Sequence, residues 1–220
     1  MKDKYQMSET FLVSALLALS GGFQDAYTYV VRDEVFSNAQ TGNVVLMSQH
    51  FMKGEWSSGF HYLFPIIAFA LGVFIAQCVR YKYKNNKKIH WRQIIIIFEI
   101  IILFMVGFIP TKYNTIGTML VSLSCAMQVQ TFRKMSGYKY SSTMCIGNLR
   151  SGTESFAMFL KTKNIKDFRK FLYYYGIIFV FAIGAGIGVI LSGLVGLKTI
   201  WICSFILIIV CLLMCKEYKK

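Results

Sequence analysis

Two polar motifs that each end in a glycine and an asparagine are the residues of this sequence best suited to bind a solute. The first is Asn38-Ala-Gln-Thr-Gly-Asn43, and the second is Thr143-Met-Cys-Ile-Gly-Asn148. Both lie between long apolar stretches, where irregular backbone survives only if protein buries it or a wet cavity surrounds it. A short helix beginning there would point free N–H groups and its positive end at the interior, which suits a polar or anionic solute. The alternative is that these amides only fasten broken helices to their neighbours.

Two carboxylates lie within apolar stretches. Asp25, beside Gln24, is the more informative, because an isolated carboxylate in hydrocarbon is costly and usually faces a cavity or a partner. Asp25 is therefore a candidate proton carrier, and the alternative is a hydrated position near the outer interface. Glu99 stands alone among Ile and Phe. We expect Glu99 to pair with a neighbour, and an unpaired Glu99 would be a second candidate proton carrier.

The second half carries its own polar groups. Gln128 and Gln130 occupy the region that corresponds to Gln24 and Asp25, with neutral groups in place of the carboxylate. Arg150 and Glu154 are four residues apart, a spacing that puts both side chains on one helix face. Either Arg150 meets an anionic group that Glu154 helps to orient, or the two form a neutral structural pair near the cytoplasmic interface.

The predicted solute site combines these groups from both halves. Its members are Gln24, Asp25, Asn38, Gln40, Thr41, Asn43, Gln128, Gln130, Asn148 and Arg150. Asp25 and Glu154 are the candidate proton-coupling groups. No metal ligation is predicted, because the spacing typical of zinc ligands is missing from the sequence. No cofactor or enzymatic activity is predicted either, since the sequence contains neither a Ser/His/Asp set nor a Walker loop.

The composition predicts a protein of the lipid bilayer. Of 220 residues, 55% are hydrophobic and only 15% are charged, whereas charged residues make up about 25% of a soluble globular protein. A spanning helix needs roughly 20 mostly apolar residues, so this length accommodates about six to eight crossings and no soluble domain. The net charge of +14 comes from Lys and Arg in short loops, where they report orientation and do not indicate nucleic-acid binding.

Six apolar stretches are predicted to cross the membrane as helices, and two semi-polar stretches differ from them. The six spans are Glu9 to Val31, His61 to Val79, Ile94 to Ile109, Tyr113 to Phe132, Tyr175 to Leu197 and Thr199 to Cys215. The semi-polar stretches, Ser37 to Met52 and Ser141 to Leu160, contain the two motifs. The composition alone leaves open whether they are re-entrant or fully spanning.

Three matches in the same order indicate that the chain consists of two related halves. Ala18-Leu-Ser-Gly-Gly-Phe-Gln24 aligns with Ser122-Leu-Ser-Cys-Ala-Met-Gln128, Gly42-Asn43 with Gly147-Asn148, and Phe69-Ala-Leu-Gly72 with Phe181-Ala-Ile-Gly184. Their nearly constant spacing is typical of an internal repeat, although each match alone is weak. Residues 1–110 and 111–220 are therefore predicted to be the first and second membrane repeats of one integral membrane domain.

The positions of the cations predict that the halves have opposite orientations. The loop after the second span of the first half carries Arg80, Lys82, Lys84, Lys87, Lys88 and Arg92, whereas its counterpart carries only Lys198. Equivalent loops would thus face opposite sides of the membrane, which requires three true spans and one re-entrant segment in each half. With both termini cytoplasmic, the outside loops hold only Arg32, Lys53, Lys112 and Lys198 of the 24 Lys and Arg residues. The predicted fold is an all-α polytopic membrane helix bundle of two inverted-topology repeats.

Several motifs carry a resemblance to a known family. In the first half they are Gly22-Phe-Gln-Asp-Ala26 and Phe36-Ser-Asn-Ala-Gln-Thr-Gly-Asn43, and in the second half Met127-Gln128, Phe132-Arg133 and Thr143-Met-Cys-Ile-Gly-Asn-Leu-Arg-Ser-Gly152. On these motifs, over nearly its whole length, the chain resembles the YoaK-like family of bacterial multi-pass membrane proteins, whose function is unknown. It departs from the family pattern at Val129 and Ile146. The resemblance implies a polytopic protein of the bacterial inner membrane and supplies no substrate.

Two functions are consistent with these observations. The first is a small-solute transporter or channel, with proton coupling as an option, whose polar site lies at the interface of the two repeats. Its expected partners are the lipid bilayer and a small polar or anionic solute, and association into a homo-oligomer is left open. The second is a non-transporting membrane partner or sensor module in which the polar pairs only hold the bundle together. We expect a multi-pass protein of the bacterial cell membrane with both termini in the cytoplasm.

Overall fold

The structure, a computed structural model, describes residues 6–85 and 90–218. Lys87 and Lys88, which contributed to the predicted orientation, lie outside the described residues. The α-helices of the described chain are α1 Phe11–Val31, α2 Gln40–Met52, α3 Trp56–Tyr83, α4 Trp91–Val106, α5 Asn114–Thr131, α6 Cys145–Thr162, α7 Ile165–Val195 and α8 Trp201–Tyr218. Short 3-10 helices occur at Met7–Glu9, Thr111–Tyr113 and Gly196–Ile200.

Each of the six predicted spans coincides with an α-helix, and each semi-polar stretch contains one. The largest differences are in α3 and α7, which begin well before the predicted His61 and Tyr175. A hydropathy pattern detects only the apolar part of a helix. The backbone hydrogen bonds of the helix extend into the polar residues on either side, so the helix is longer than its apolar part. In α7, Asn164 caps the N-terminus by accepting a bond from Lys166 N at 3.0 Å, and Asp167 lies in the first turn. Both features stabilise a polar helix start.

A two-stranded hairpin between α5 and α6 was not predicted. Strand β1, Lys134–Met135, pairs antiparallel with β2, Tyr138–Lys139. Ser136 and Gly137 form the turn with φ of 49° and 83°, as a tight hairpin turn requires. Ser136 N donates to Glu9 O at 2.7 Å, which holds the turn against the segment before α1. The all-α prediction therefore holds for the described chain apart from this hairpin.

Contacts between helix termini define two ends of the bundle. At the first, which we name the Arg32 end, Arg32 at the C-terminus of α1 bonds to the end of α4 and the start of α5. Trp201, at the start of α8, donates to Phe104 O at 2.9 Å. At the opposite Arg92 end, Arg92 pairs with Glu9 at 2.9 Å. Helices α1 and α4 therefore run toward the Arg32 end, whereas α5 and α8 run away from it.

Helices α2 and α6 begin deep in the bundle. Asn38, just before α2, bonds to Asp25 in the interior of α1, and His50 near the end of α2 lines a cavity with Asp33 at the Arg32 end. Ser142, before α6, bonds to Gln128 of α5. The far end of α6 lies at the start of α7, where Thr162 contacts Asp167. Each of these helices thus starts inside the protein and ends near one face.

Close backbone contacts at glycines hold the crossing helices together. A Cβ at Gly72 of α3 would lie 2.4 Å from Leu123 O of α5, and one at Gly184 of α7 would lie 2.1 Å from Leu19 O of α1. Such small residues let helices approach closely, as is common in membrane bundles. The largest apolar core cluster joins α1, α4, α5 and α8.

The outer surface of the bundle is apolar. Large side chains such as Phe74, Phe179 and Leu194 are at least 66% exposed, as expected for helices that face lipid. Two stretches of the described chain are long and apolar enough to cross a membrane on length and composition alone. They are Trp56–Tyr83 and the 51 residues Ile165–Cys215, which contain α7 and most of α8. The other predicted spans form helices as well, but they are shorter or carry polar residues inside the bundle.

Candidate functional site

The start of α2 is anchored to a carboxylate in the middle of α1. Asp25 Oδ1 accepts bonds from Asn38 N at 2.7 Å and from Ser37 Oγ at 3.0 Å. The Asn38 side-chain amide in turn donates to Gly21 O at 3.1 Å. Asp25 is 91% buried, so it does not occupy the hydrated interfacial position that was the alternative reading. Its carboxylate faces the free N–H groups that precede α2, where a negative charge is favoured.

A corresponding arrangement surrounds the start of α6. Gln128 Nε2 donates to Ser142 Oγ at 2.9 Å and to Leu17 O at 3.2 Å, so it links α5 both to the segment before α6 and to α1. The methyl group of Thr143 packs against Gly21, where an added Cβ would lie 2.6 Å away. Asn38 in the first half of the chain and Thr143 in the second therefore both contact Gly21.

Cysteine and glutamine side chains connect the two arrangements. Cys125 Sγ donates to Gln24 Oε1 at 3.0 Å and lies 3.6 Å from Ser37 Oγ. We name the whole group the central cluster, and its members are Gln24, Asp25, Ser37, Asn38, Cys125, Gln128, Ser142 and Thr143. All of them are at least 91% buried.

Three polar atoms of the central cluster have no hydrogen-bond partner among the described residues. They are Asn38 Oδ1, Gln128 Oε1 and Thr143 Oγ1. The amide orientations are fixed, because each NH₂ group donates to a main-chain carbonyl that can only accept. Leaving a buried acceptor unpaired destabilises a protein by about 1–3 kcal/mol. A water or a solute that donates a hydrogen bond to one of these atoms would remove this cost.

Glu99 of α4 is a buried carboxyl group, and the expectation that it pairs with a neighbour is wrong. Its side chain is fully buried, and both carboxyl oxygens lack a hydrogen-bond partner in the described chain. Ile96 and Leu103, which lie one turn before and after Glu99 on α4, belong to the same packed cluster as Cys125 of the central cluster. Glu99 therefore belongs beside the central cluster, and it remains the second candidate proton carrier.

The asparagines of the two Gly-Asn motifs make the same pair of bonds to main chain seven residues earlier. Asn43 accepts from Phe36 N at 3.2 Å and donates to Phe36 O at 2.7 Å. Asn148 accepts from Ser141 N at 3.2 Å and donates to Ser141 O at 2.6 Å. Each amide thus closes a ring with the N–H and C=O of one residue, a contact we name the asparagine clasp. The clasps hold the extended segment before each helix, which favours the fastening role over direct solute binding.

We expect each clasp to stabilise the fold, so that replacing its asparagine with an apolar residue lowers the free energy of unfolding. In Asn43→Leu, the Phe36 N–H and C=O both lose their partner, and the free energy of unfolding should fall by about 2 kcal/mol, at roughly 1 kcal/mol per lost bond. Gln49→Leu, on the exposed face of the same helix, is the matched control and should change it by less than about 0.5 kcal/mol. Chemical denaturation of the purified protein in detergent measures both. Equal stability of the two variants would contradict the structural role.

The remaining predicted site residues lie outside the central cluster. Gln40 bonds to Ser37 O and to Asn43, beside the first clasp, and Thr41 is exposed. Gln130 pairs with Gln77 of α3 at 2.9 Å. Arg150 and Glu154 are both exposed on α6, with no ion pair between them among the described residues. Of the ten predicted residues, the structure brings Gln24, Asp25, Asn38 and Gln128 together.

Arg32 has a role that the sequence did not indicate. It was counted only as a cation of an outer loop, yet its side chain is fully buried. The guanidinium donates to Val106 O, Ile109 O and Asn114 Oδ1, each at 2.9 Å, and to Tyr27 Oη. These acceptors belong to α1, the end of α4 and the start of α5. No local signal identifies them, because they come together only through tertiary packing.

Cavities open at both ends of the bundle. The cavity at the Arg32 end, of about 590 Å³, is lined by Asp33, His50, Ser57, Ser58, Phe60, His61, Tyr62, Phe64 and Thr115. The cavity at the Arg92 end, of about 480 Å³, is lined by Glu9, Arg80, Trp91, Arg92, Gln130, Thr131, Arg133, Lys134, Lys139 and Tyr140. Burial raises the pKa of the Tyr140 phenol, so it adds no negative charge to the second cavity at neutral pH. Neither cavity is lined by a member of the central cluster.

Comparison with known proteins identifies the family of this chain. A family model described as "Protein of unknown function (DUF1275)" matches residues 13–213. The chain belongs to the DUF1275 family. This DUF1275 member is similar to the UPF0700 transmembrane protein YoaK of Bacillus subtilis (strain 168), with 28% identity over 144 residues. The predicted YoaK-like membership is therefore confirmed.

The match to YoaK is partial. It covers 62% of this DUF1275 member and 63% of the length of YoaK. No solved structure matches the chain. The transmembrane character of the relative agrees with the apolar helix surfaces, and we conclude that this DUF1275 member is a membrane protein.

Proposed function

We propose that this DUF1275 member is a small-solute carrier or channel whose binding site is the central cluster. The observation that carries the proposal is the meeting of two broken-helix starts, α2 and α6, around buried polar atoms that lack partners within the described chain. Transporters commonly bind substrate where discontinuous helices meet near the middle of the membrane. A bundle that needed its polar groups only for packing would gain nothing from unpaired acceptors, because each one costs stability.

The site is proposed to lie between two inverted repeats of a multi-pass protein. Support comes from the crossed helix contacts, in which Gly72 of the first half meets Leu123 O and Gly184 of the second meets Leu19 O. These residues occupy matching positions in the internal sequence repeat, so each half makes the same contact with the other. The asparagine clasps repeat in the same way. Helices α2 and α6, which end near opposite faces, would be the re-entrant segment of each repeat.

The Arg92 end is proposed to face the cytoplasm, together with both termini. The residues around it include Arg80, Arg133, Lys134 and Lys139, and cytoplasmic loops of membrane proteins carry an excess of Lys and Arg. The Arg32 end would then face outward. In this orientation the two cavities are the vestibules, and alternating access by rocking of the two repeats would connect the central cluster to each in turn.

The chemistry of the cluster favours a solute that donates hydrogen bonds. The unpartnered atoms are two amide oxygens, of Asn38 and Gln128, and the hydroxyl of Thr143. Asp25 already faces the start of α2 and reduces the attraction of that helix for an anion. Among the described residues the central cluster contains no cation. We therefore propose a small neutral or cationic polar solute in preference to an anionic one, with Asp25 as the proton-coupling group and Glu99 beside it.

The second candidate function is a non-transporting partner or sensor module. It is favoured by the asparagine clasps, which use the motif amides internally, and by the separation of both end cavities from the central cluster. This function requires no movement of solute and no opening of the bundle.

Transport assays with a matched pair of glutamine variants separate the two functions. Proteoliposomes would be tested for flux of urea and glycerol by stopped-flow light scattering and for uptake of radiolabelled methylammonium. We expect at least one flux to exceed that of empty liposomes and to fall by about tenfold in Gln128→Leu, which removes a central acceptor worth roughly 1–2 kcal/mol. Gln49→Leu, which replaces an exposed glutamine of α2 that lines neither cavity, should keep the parental rate.

The same vesicles test the proton-coupling role. An imposed pH gradient should accelerate uptake by the parent protein and should have no effect on Asp25→Asn, which cannot release a proton. If parent and empty liposomes behave alike for every probe, the transport proposal fails and the module is favoured. If Gln128→Leu and Gln49→Leu lose flux equally, the central cluster is not the site.

A further inference from the structure

The cavity at the Arg92 end carries a large excess of positive charge. Arg80, Arg92, Arg133, Lys134 and Lys139 line it, against a single carboxylate, Glu9. Glu9 is already paired with Arg92 at 2.9 Å. Within the described residues no ion pair involves the other four cations, so their charge is uncompensated inside one concave site.

Two of these lysines are held directly opposite each other by the hairpin. Lys134 and Lys139 are cross-strand partners in the register of β1 and β2. Like charges in directly opposed positions of an antiparallel pair repel and destabilise it. The hairpin is nevertheless ordered by the bond from Ser136 N to Glu9 O and by Tyr174 Oη, which donates to Lys139 O at 2.7 Å. The hairpin therefore places two exposed lysines on the wall of one cavity, where their charges attract an anion with several oxygens.

The other walls supply rigid donors. Both Arg80 and Arg92 contact the ring of Trp91, with their guanidinium carbons 5.7 Å and 5.4 Å from the ring centroid. These cation–π contacts restrict both cations. Arg92 Nε has no hydrogen-bond partner among the described residues, and neither has Thr131 Oγ1, whose residue is 98% buried. Planar guanidinium groups favour carboxylate and phosphate, and several together favour a polyvalent anion.

We propose that the Arg92-end cavity is a binding site for a phosphate-bearing anion. The ligand is held by Lys134 and Lys139 from the hairpin and by Arg80 and Arg133 from the ends of α3 and α5. The site occupies the cavity proposed above as the inner vestibule, but anion binding there does not require transport of a solute through the central cluster. The phosphate can belong to a free metabolite or to the headgroup of an anionic lipid, since both present the same oxygens to the cavity.

Binding of inorganic pyrophosphate tests the site with charge-matched variants. The protein in nanodiscs of phosphatidylcholine would be titrated by isothermal calorimetry. We expect saturable binding that weakens by about tenfold or more in Lys134→Gln/Lys139→Gln, because two charge-assisted contacts are lost. Lys161→Gln/Lys166→Gln removes two exposed lysines near the same end of the bundle and should leave the affinity within about twofold, since the screened attraction of distant surface charges is small.

A stability measurement separates loss of the site from loss of the fold. Lys139→Glu converts the repelling pair into an attractive one, so the unfolding temperature of the ligand-free protein should equal or exceed that of the parent. Pyrophosphate binding by this variant should nevertheless be lost. If Lys139→Glu unfolds at a lower temperature than the parent and also loses binding, the loss would reflect damage to the fold. That result would contradict a direct role of Lys139 in binding.

Nanodiscs that contain phosphatidic acid identify the source of the phosphate. If the lipid headgroup occupies the cavity, pyrophosphate binding disappears when phosphatidic acid is present, and if a free anion is the ligand, binding persists. Absence of binding in phosphatidylcholine nanodiscs would overturn the proposal. So would an equal loss in the two double variants, because binding would then reflect the general positive charge of this face.

Discussion

Replacement of Arg32 by leucine is expected to lower the free energy of unfolding by about 2–4 kcal/mol. The guanidinium donates to four acceptors, and Arg32→Leu removes all of these bonds. Only Val106 O still accepts another bond among those described, from Ile109 N at 3.1 Å. The lower limit assumes about 0.6 kcal/mol for each lost bond, the average for hydrogen bonds in membrane proteins. The upper limit assumes about 1 kcal/mol for each, the cost of leaving a buried carbonyl unpaired. Leucine avoids the cost of burying a charge, but it cannot reach the carbonyls at the end of α4.

Two further variants make this prediction specific to the Arg32 contacts. Arg32→Lys keeps the charge but loses the planar fork, so its stability should lie between those of parent and Arg32→Leu. Lys112→Leu removes an exposed cation from the same end of the bundle and should have little effect. Denaturant titrations in detergent, followed by tryptophan fluorescence, measure all three. Equal stability of Arg32→Leu and Lys112→Leu would show that the buried network contributes nothing.

The substitution Gly184→Ala, which adds one methyl group, is expected to lower the free energy of unfolding by about 2 kcal/mol or more, the usual cost of overpacking. The new Cβ would lie 2.1 Å from Leu19 O. This neighbour is main chain in the middle of α1, so no side chain can rotate away and the two helices must separate. The loss should exceed the gain of about 1 kcal/mol that alanine brings to a helix in place of glycine.

Helix α7 contains its own controls for this prediction. Gly186 and Gly193 have no neighbouring atom within 4 Å of an added Cβ. Gly186→Ala and Gly193→Ala should therefore be neutral or more stable than the parent. Thermal unfolding in detergent compares the three variants, and Gly72→Ala in α3 should behave like Gly184→Ala, because its Cβ would lie 2.4 Å from Leu123 O. A stable Gly184→Ala protein would argue against this helix crossing.

The predictable part of the fold followed from local composition. A helix in a bilayer must satisfy its backbone within itself, so a long apolar run predicts a helix with little regard to its neighbours. For this reason all six predicted spans coincide with helices. The same reasoning found the semi-polar stretches, since polar residues at membrane depth are too costly to occur by accident. Helix ends that project beyond the apolar run, as in α3 and α7, were placed less well because backbone hydrogen bonds extend past the apolar residues. In α7 the Asn164 cap, and not hydropathy, fixes the start.

The site was predicted in outline and corrected in its parts. Asp25 and Gln128 were recognisable as costly polar groups in apolar helices, and the structure brings them to the same cluster. Asn43 and Asn148 were recognised by type, but their bonds to main chain seven residues earlier depend on how each segment folds back. Glu99 was expected to find a partner, and only the packing of α4 against its neighbours left its carboxyl group unpaired in the described chain.

The sequence by itself therefore determined that the chain forms apolar helices, contains two repeated polar motifs and carries a carboxylate inside its first helix. Each of these properties depends on residues that are near one another in the chain. Tertiary structure alone decided which polar atoms of the described chain lack partners, that Arg32 holds three chain segments together, and that the hairpin lysines share a cavity with Arg80. Those properties arise from hydrogen bonds and close contacts between distant segments, whose geometry is fixed only when the helices pack.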